Sequence, residues 1–419
     1  MGATDVSPPR SGWLPGVEGL RALAACAIVV LHVWEVPASR AGAPQTGWLP
    51  LLVRPLEEGV PLFFVLSGFL LWRPIASAVL RGRRLPSVRR YARNRALRIL
   101  PAYWVVLLAT ALVLQSGQLT PVAHGRFYGA IHSPLLLAKN ALLLQNYAPS
   151  TFSSGVSPAW SLAVELVFYA LLPLLALLAA LRATRRGSLR SRAAAALAPA
   201  GLLLVVGLFG TLLARFAVPG REQAVSATWH AVIDWSFLTH ADLFAFGMAV
   251  AVLRALHEDG RLSRFARVRP AVDRVLVYTA IPFLIFGFVL IPHDVFEPVF
   301  SLLCALLLAR VVLVPLGGPP GGLVRVLERR PIVAAGKASY SIFLWNYPVM
   351  AFLAEHGLTV RASSAWYLPA NLAIAAPIIG ALSAATYLGI ERPAMRLRGL
   401  SRQPVEQPSI AAVAPLGSA

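Results

Sequence analysis

His32 is an ionisable residue near the middle of a long apolar segment, GVEGLRALAACAIVVLHVWEV (16–36), and Arg21 lies eleven positions before it. An imidazole in hydrocarbon is costly, so such a histidine is expected to face a polar cavity or a partner, where it can act as a general base. Eleven helical residues span about 16 Å and nearly complete three turns, which places both side chains on one face. A hydrogen-bonded core histidine with a snorkelling arginine is the alternative interpretation.

Glu165 is the carboxylate that the sequence pairs with His32. It lies two turns inside PAWSLAVELVFY (158–169), at a depth similar to that of His32. A carboxylate beside an imidazole fixes its tautomer and stabilises the imidazolium, so the two residues form a candidate catalytic pair. Two alternatives stay open: a pair without chemistry, and Glu35, one turn beyond His32, as the partner of the imidazole.

Three arginines, Arg93, Arg95 and Arg98, lead into the apolar segment RILPAYW (98–104). Guanidinium groups bind phosphates in a bidentate manner, and a helix N-terminus adds a favourable dipole for anions. Together with Arg21, these residues form a candidate site for a nucleotide pyrophosphate. Control of membrane orientation and binding of anionic lipid headgroups are equally compatible interpretations.

The remaining polar positions carry weaker signals. Ser67 and Gly68 form a small-residue pair, which favours helix packing over a serine nucleophile because no nucleophile-elbow motif surrounds it. His240 and Asp242 are two residues apart, for which a helix-packing hydrogen bond is the favoured interpretation. No ligand spacing predicts a metal site, and the sequence contains neither a dinucleotide fingerprint nor a P-loop.

Composition shows what kind of chain must position these residues. Of its 419 residues, 57% are hydrophobic and 13% are charged, and the mean hydropathy is +0.67. These values indicate a polytopic membrane protein rather than a soluble domain. The net charge of +20 comes from arginines clustered in short loops between apolar spans, which argues against a nucleic-acid-binding face. Cys26 and Cys304 both fall inside predicted helices, so we expect no disulfide.

The apolar pattern predicts an all-α bundle of about ten transmembrane helices. The segment 135–147 is apolar but short and contains Lys139 and Asn140, so we predict that it is re-entrant or interfacial. The predicted spans are 17–37, 59–78, 99–116, 159–181, 194–217, 232–253, 275–292, 298–316, 338–355 and 366–390.

The distribution of charge predicts the orientation. With ten crossings, most of the 38 Lys and Arg residues fall on the side of both termini, and the positive-inside rule makes that side cytoplasmic. We predict a cytosolic N-terminal segment over 1–15, a transmembrane domain over 16–398 and a disordered cytosolic tail over 399–419, which is rich in Pro, Ser and Ala.

Six parts of the sequence form a set: Arg21 with His32, FFVLSGFLLWRP (63–74), the Arg-rich lead into RILPAYW, PAWSLAVELVFY, SYSIFLWNYPV (339–349) and IERPAM (390–395). In order and spacing, this set resembles the bacterial acyltransferase 3 family. Members are integral-membrane O-acyltransferases that modify lipopolysaccharide, peptidoglycan, exopolysaccharides and some macrolides. The likeness spans roughly residues 14–398, almost the whole chain.

The resemblance implies a bacterial inner-membrane enzyme with acyl-CoA, in particular acetyl-CoA, as co-substrate and no covalently bound cofactor. It also implies an acceptor hydroxyl on a cell-envelope glycan or on a secondary metabolite such as a macrolide. Where similar sequences often have His after the Trp of SYSIFLWNYPV, this chain has Asn346. Any role of that position is lost or reduced to hydrogen bonding, and His32 is left as the better candidate base.

We therefore predict an O-acyltransferase whose site residues fall into three groups. They are His32 and Glu165 for catalysis, Arg21, Arg93, Arg95 and Arg98 for binding acyl-CoA, and Ser67, Gly68, Asn346 and Asp242 in support. The predicted partners are membrane lipid, acyl-CoA and a glycan or small-molecule acceptor, with no nucleic acid and the oligomeric state left open. A covalent acyl-His32 intermediate is an alternative mechanism.

The rival functional class is a secondary transporter or a flippase of a lipid-linked glycan, which fits the same size and charge. A transporter should not release CoA from acetyl-CoA, so thioester consumption separates the two classes. A catalytically silent scaffold is a third interpretation, which the matching depths of the polar residues disfavour.

Overall fold

The computed structural model describes residues 14–40, 48–123, 126–183, 187–218, 228–262, 265–314 and 321–398. The predicted tail over 399–419 lies outside these residues, as does nearly all of the predicted N-terminal segment over 1–15.

Long α-helices make up most of the described chain, and each of the predicted spans overlaps one of them. They are α1 (Val17–Arg40), α3 (Gly59–Leu80), α4 (Val88–Leu108), α6 (Trp160–Arg182), α7 (Leu189–Phe216), α9 (Phe237–Glu258), α10 (Phe265–Pro282), α12 (His293–Val312), α15 (Ser339–Glu355) and α16 (Tyr367–Thr386).

Short helices and turns connect or extend these elements. The α-helices are α2 (Leu49–Val53), α5 (Pro134–Ala141), α8 (Trp229–Asp234), α11 (Phe288–Leu290), α13 (Gly322–Leu327), α14 (Arg330–Lys337) and α17 (Arg392–Arg396). The 3₁₀ turns cover Arg54–Glu58, Gln145–Tyr147, Pro149–Thr151 and Ser157–Ala159, and π-helical turns cover Ala109–Val113, Phe283–Gly287 and Tyr387–Glu391.

Within the described ranges, eight continuous helical segments are long and apolar enough to cross a membrane. A ninth results if Ala271–Ala280 and Phe283–Leu290, which meet at a bend of 47°, form one span. The all-α polytopic fold is thus confirmed, and eight or nine helical segments pass this test of length and hydropathy where the sequence predicted about ten spans. The difference lies in 338–355, because α15 has 17 residues and Ala338 separates it from α14. Such a helix is about 25 Å long, at the lower end of the range of lengths for a membrane span.

The segment 135–147 does not form a span, in agreement with the sequence. It folds as the eight-residue helix α5 followed by the turn Gln145–Tyr147. Just before it, the chain forms an antiparallel hairpin of β1 (Gly117–Ala123) and β2 (Arg126–Gly129), which the sequence analysis did not predict. Both connections lie at the end of the bundle where α4 finishes.

Helices α3 and α9 make the closest contact in the bundle core, through glycines. A Cβ at Gly68 would lie 2.2 Å from the carbonyl oxygen of Phe244, and one at Gly247 would lie 1.9 Å from that of Val65. Since no side chain fits there, the two backbones pack directly on each other. The predicted packing role of Gly68 is therefore confirmed.

We expect Gly68→Ala to destabilise the bundle by about 1–3 kcal/mol, because α3 and α9 must separate to admit the methyl group. The measurement is the midpoint of thermal unfolding of the purified protein in detergent. Gly380→Ala in α16 is the matched control, since nothing lies within 4 Å of a Cβ at that position. An equal drop in both variants would contradict the role of the α3–α9 contact.

Candidate active site

His32 lies in α1, and Asn346 of α15 holds its imidazole. The ring Nδ1 is hydrogen-bonded to Asn346 Oδ1. The amide Nδ2 of Asn346 donates to the carbonyl oxygens of Ile342, at 3.2 Å, and Phe343, at 2.6 Å. Because the amide nitrogen is engaged by its own helix, the Oδ1 atom accepts and His32 Nδ1 carries the proton. The lone pair is then on Nε2, as a general base requires.

This contact gives Asn346 a defined hydrogen-bonding role. Asn346 is fully buried, and its hydrogen bond is made to the imidazole that the sequence analysis selected as base. The sequence predicted a hydrogen-bonding role for Asn346 without naming the partner. Depth along a helix does not reveal which helices are neighbours, and α1 packs most extensively on α15.

A cavity of about 760 Å³ opens beside His32. It is bordered by the second half of α1 and by the first turns of α3, α6, α9 and α12, so it lies at one end of the bundle. Aromatic and ionisable side chains mix in its wall; among them are His32, Glu35, Tyr128, Trp160, Trp235 and Tyr347.

The β1–β2 hairpin and α15 close one side of this cavity. Tyr347 packs edge-on against the His32 ring, with the ring centroids 5.0 Å apart. The Tyr347 hydroxyl lies 3.0 Å from that of Tyr128 and donates to Gln118 Oε1 at 3.3 Å. Two residues of the hairpin thus help to fix the aromatic wall beside the candidate base. The sequence analysis missed them, since it did not predict the hairpin.

Glu165 does not pair with His32, which corrects the predicted catalytic pair. Its carboxylate accepts hydrogen bonds from Ser67 Oγ and Tyr169 Oη, each at 2.5 Å. The physical reason is the arrangement of helices: α6 packs on α7, α9, α3 and α4, whereas α1 packs on α15, α14, α3 and α16. Similar depth therefore did not bring the two side chains together.

Ser67 donates to the Glu165 carboxylate and is not hydrogen-bonded to a histidine within the described residues. The serine and its neighbour Gly68 thus have separate tasks, since one bonds to α6 and the other permits contact with α9. This arrangement agrees with the predicted packing role.

An arginine cluster lies at the opposite end of α1 from the cavity. It consists of Arg21, Arg95, Arg98 and Arg398. The charge of Arg98 interacts with those of Arg21 and Arg398, and the charge of Arg398 also interacts with that of Arg95. Glu391 interacts with Arg21, Arg98 and Arg398. Arg21 also lies 3.5 Å from Glu18 and is close enough to Glu165 for their charges to interact. The predicted grouping of Arg21 with Arg95 and Arg98 is therefore present in the structure.

Several N–H groups of the cluster are buried and unsatisfied. Arg95 Nε and both Nε and Nη2 of Arg398 have no hydrogen-bond partner in the part of the chain that the structure describes. Burial, together with the like charges of Arg95 and Arg98, lowers the pKa of Arg398 to about 10. The side chain therefore stays protonated at neutral pH, and an anion with several oxygens fits this environment.

The structure differs from the sequence prediction for two arginines, Arg93 and Arg398. Arg93 is exposed, and its Nη2 donates to the Leu397 carbonyl oxygen at 3.1 Å, so it is not grouped with the cluster. Arg398, which the sequence analysis did not select, is part of it. The signal was the basic continuation of IERPAM into Arg396 and Arg398 after the last long helix.

Asp242 lies apart from His32, in a separate polar region of α9. Its Oδ1 is buried without a hydrogen-bond partner among the described residues, and its charge interacts with His240 and Glu297. His240 Nδ1 lies 2.9 Å from the Ser236 carbonyl oxygen. His240 Nε2 lies 3.7 Å from Glu297 Oε1 of α12, a contact between helices, whereas no hydrogen bond joins Asp242 Oδ1 to another helix among the described residues.

The chain belongs to the acyltransferase-domain family, whose profile matches residues 14–387. With its helical membrane fold, this makes it a multi-pass membrane O-acyltransferase. The resemblance described above is confirmed.

Three relatives illustrate the family. The exopolysaccharide production protein ExoZ of Rhizobium meliloti is 28% identical over 82% of this chain and 91% of its own length. The acyltransferase MdmB of Streptomyces mycarofaciens is 30% identical over 40% of each chain. The peptidoglycan O-acetyltransferase OatA of Listeria monocytogenes is 26% identical over 81% of this chain, which spans about half of that protein, 49%. No solved structure matches the chain.

Proposed function

We propose that the protein transfers an acetyl group from acetyl-CoA, held at the arginine cluster, to a hydroxyl of a glycan or small-molecule acceptor in the cavity. The observation that carries this proposal is the state of His32: Asn346 fixes its Nδ1–H tautomer, and the ring lines a cavity large enough for a substrate. Its distance of about 16 Å from Arg21 along α1 suits an elongated thioester bound at both ends.

In the proposed reaction, His32 Nε2 accepts the proton of the acceptor hydroxyl as its oxygen attacks the thioester carbonyl carbon. The new C–O bond forms, the C–S bond breaks, and the imidazolium returns its proton to the sulfur of CoA. Asn346 continues to accept from Nδ1–H throughout and so keeps the ring oriented. Direct transfer needs no acyl-enzyme, because the cavity gives the acceptor access to the histidine.

The donor is proposed from the chemistry of the arginine cluster. The nucleotide end of CoA carries several phosphate charges, and guanidinium groups with free N–H donors bind phosphates in a bidentate manner. Arg21, Arg95, Arg98 and Arg398 would share these contacts. Arg93 is left out of the proposed site, since its guanidinium is exposed and engaged by Leu397.

Glu165 is proposed as a positioning residue rather than as part of a catalytic pair. It ties Ser67 on α3 to Tyr169 on α6 and places a negative charge near Arg21. These contacts would fix the region between the cluster and the cavity. Glu35, which follows His32 by one turn and lines the cavity, is the better-placed carboxylate to stabilise an imidazolium.

The acceptor is proposed to be a hydroxyl-bearing sugar or sugar-containing metabolite. Aromatic side chains mixed with a few polar groups are typical of sites that bind such ligands. The names of the relatives ExoZ and OatA refer to exopolysaccharide production and to peptidoglycan, which supports a glycan as the first acceptor to test.

We further propose that the protein lies in a bacterial inner membrane, with the arginine cluster and both termini on the cytoplasmic side. The excess of Arg at that end supports this orientation through the positive-inside rule. The cavity would then open toward the other side, where envelope glycans are found.

The test of the function uses inside-out membrane vesicles that contain the protein and acetyl-CoA labelled in the acetyl group. An O-acyltransferase releases free CoA and forms an ester that mild alkali removes, in amounts that depend on the acceptor. Vesicles without the protein are the control. Movement of an acceptor across the membrane without CoA release would favour a transporter and contradict the proposal.

The proposed role of Asn346 gives a separate prediction. Asn346→Leu removes the acceptor for His32 Nδ1–H, and we expect kcat to fall by about five- to tenfold, because a buried hydrogen bond of this type is worth about 1–1.5 kcal/mol. Asn346→Asp keeps an acceptor oxygen and should retain more activity than Asn346→Leu in the same CoA-release assay. Equal activity of both variants and the native protein would contradict the role.

A further inference from the structure

A group of two carboxylates and one imidazole lies in the cavity wall, away from His32. Glu57 and Glu58 end the 3₁₀ turn Arg54–Glu58, and His293 is the first residue of α12. One donor atom from each side chain lies within 4.8 Å of the other two. His293 Nε2 is 3.2 Å from Glu57 Oε1 and 3.8 Å from Glu58 Oε1. The three side chains thus converge on one point from two elements that are distant in sequence.

The carboxylate of Glu58 is buried and, in the described part of the chain, has no hydrogen-bond partner that would compensate for its charge. Only 2% of its surface is exposed, and neither carboxylate oxygen has a hydrogen-bond partner within the described residues. The residue nevertheless lines the cavity, as do Glu57 and His293. A buried carboxylate without hydrogen bonds is strongly disfavoured unless a cation compensates for it.

The surrounding charges favour a doubly charged cation. Glu297, one turn beyond His293 on α12, also lines the cavity, and its charge interacts with that of Glu58. Glu297 Oε1 also lies 3.7 Å from His240 Nε2, so the three carboxylates are matched by two imidazoles, those of His293 and His240. Arg215, also in the cavity wall, is paired with Asp294 at 2.5 Å. Even a protonated His293 leaves carboxylates in excess, whereas a divalent ion balances two of them.

We propose that Glu57, Glu58 and His293 bind a divalent transition-metal ion, with Zn²⁺ as the ion to test. Two carboxylate oxygens and one imidazole nitrogen are a donor set that Zn²⁺ accepts, and the fourth position would face the cavity. Ca²⁺ and Mg²⁺ prefer all-oxygen sites, so the imidazole selects against them. The sequence analysis predicted no metal because the ligands have no recognisable spacing along the chain.

Such an ion would join the 3₁₀ turn to the start of α12 and so stiffen one wall of the cavity. His32 belongs to another part of that wall, and the proposed acyl transfer uses none of the three ligands. The proposal of a metal site therefore does not depend on the proposed acyltransferase mechanism, and each can be tested separately.

The test is titration of the purified full-length protein with Zn²⁺, using an affinity tag without histidines and metal-free detergent buffer. We expect one equivalent to bind and to raise the midpoint of thermal unfolding, since a ligand that binds the folded state stabilises it. Glu58→Gln preserves the size of the side chain but removes a ligand charge. It should weaken binding at least about 100-fold, because loss of outer-shell contacts alone costs 10–100-fold. His293→Gln should have a similar effect.

His356→Gln is the matched control, because His356 directly follows α15, is exposed, and has its ring Nδ1 on the Phe352 carbonyl oxygen. This variant should bind Zn²⁺ like the native protein, and Ca²⁺ or Mg²⁺ should not shift the unfolding midpoint. Two results would overturn the proposal: absence of stoichiometric Zn²⁺ binding by the native protein, or equal binding by Glu58→Gln. Either would identify the group as an ion pair only.

Discussion

We expect His32→Gln to lower kcat for acyl transfer by about 10²- to 10⁴-fold, the range that a positioned general base contributes. Glutamine keeps a polar side chain beside Asn346 but has no basic nitrogen. The KM for acetyl-CoA should change little, since the arginine cluster lies about 16 Å away along α1. Initial rates of CoA release at saturating acceptor measure both parameters.

His356→Gln again serves as the control for loss of an imidazole elsewhere in the bundle. Its ring bonds only to its own helix among the described residues, so activity should stay close to that of the native protein. A His32→Gln variant with near-native kcat would show that His32 takes no part in the chemistry.

The alternative mechanism with a covalent acyl-His32 intermediate is tested with labelled acetyl-CoA in the absence of acceptor. Labelled acetyl-enzyme should not accumulate in the native protein or in His32→Gln.

The second large effect is expected for Arg398→Gln, which should raise the KM for acetyl-CoA by roughly 10- to 100-fold. A hydrogen bond to a charged group contributes about 1.5–3 kcal/mol, and this guanidinium has two buried nitrogens free to make one. The effect should fall on KM rather than on kcat, because the phosphates do not change during the reaction. The same assay with varied acetyl-CoA gives the result.

Arg93→Gln is the sharpest control for this prediction, since both residues are arginines at the same end of the bundle. Its side chain is exposed and bonded to a backbone carbonyl, so the KM should stay within about twofold of the native value. A rise in KM for Arg93→Gln as large as that for Arg398→Gln would show that general positive charge, rather than the buried cluster, binds the donor.

The sequence was sufficient to predict features that depend on a single helix. The periodicity and length of the apolar segments predicted the helical membrane bundle. The spacing of Arg21 and His32 places them at opposite ends of one helix face, and α1 is continuous over both positions. These predictions required only the rise and turn of an α-helix, which are the same in every protein.

Features that depend on neighbouring helices could not be predicted from one sequence. The predicted depth of Glu165 in the membrane was similar to that of His32. However, α6 packs beside α3 and α4, and the Glu165 carboxylate accepts hydrogen bonds from Ser67 and Tyr169 instead. For the same reason Asn346 was recognised as a hydrogen-bonding residue but not as the partner of His32. Helix packing depends on side-chain fit across the interface, which hydropathy does not record.

Under the proposed function, the uninterrupted course of α1 from the arginine cluster to the cavity would let a donor and an acceptor react while each stays in its own compartment. Only the acyl group would change sides, and it would do so as one bond replaces another. In that arrangement the exchange of thioester for ester is itself vectorial, so export of acetyl equivalents needs neither a carrier nor an ion gradient.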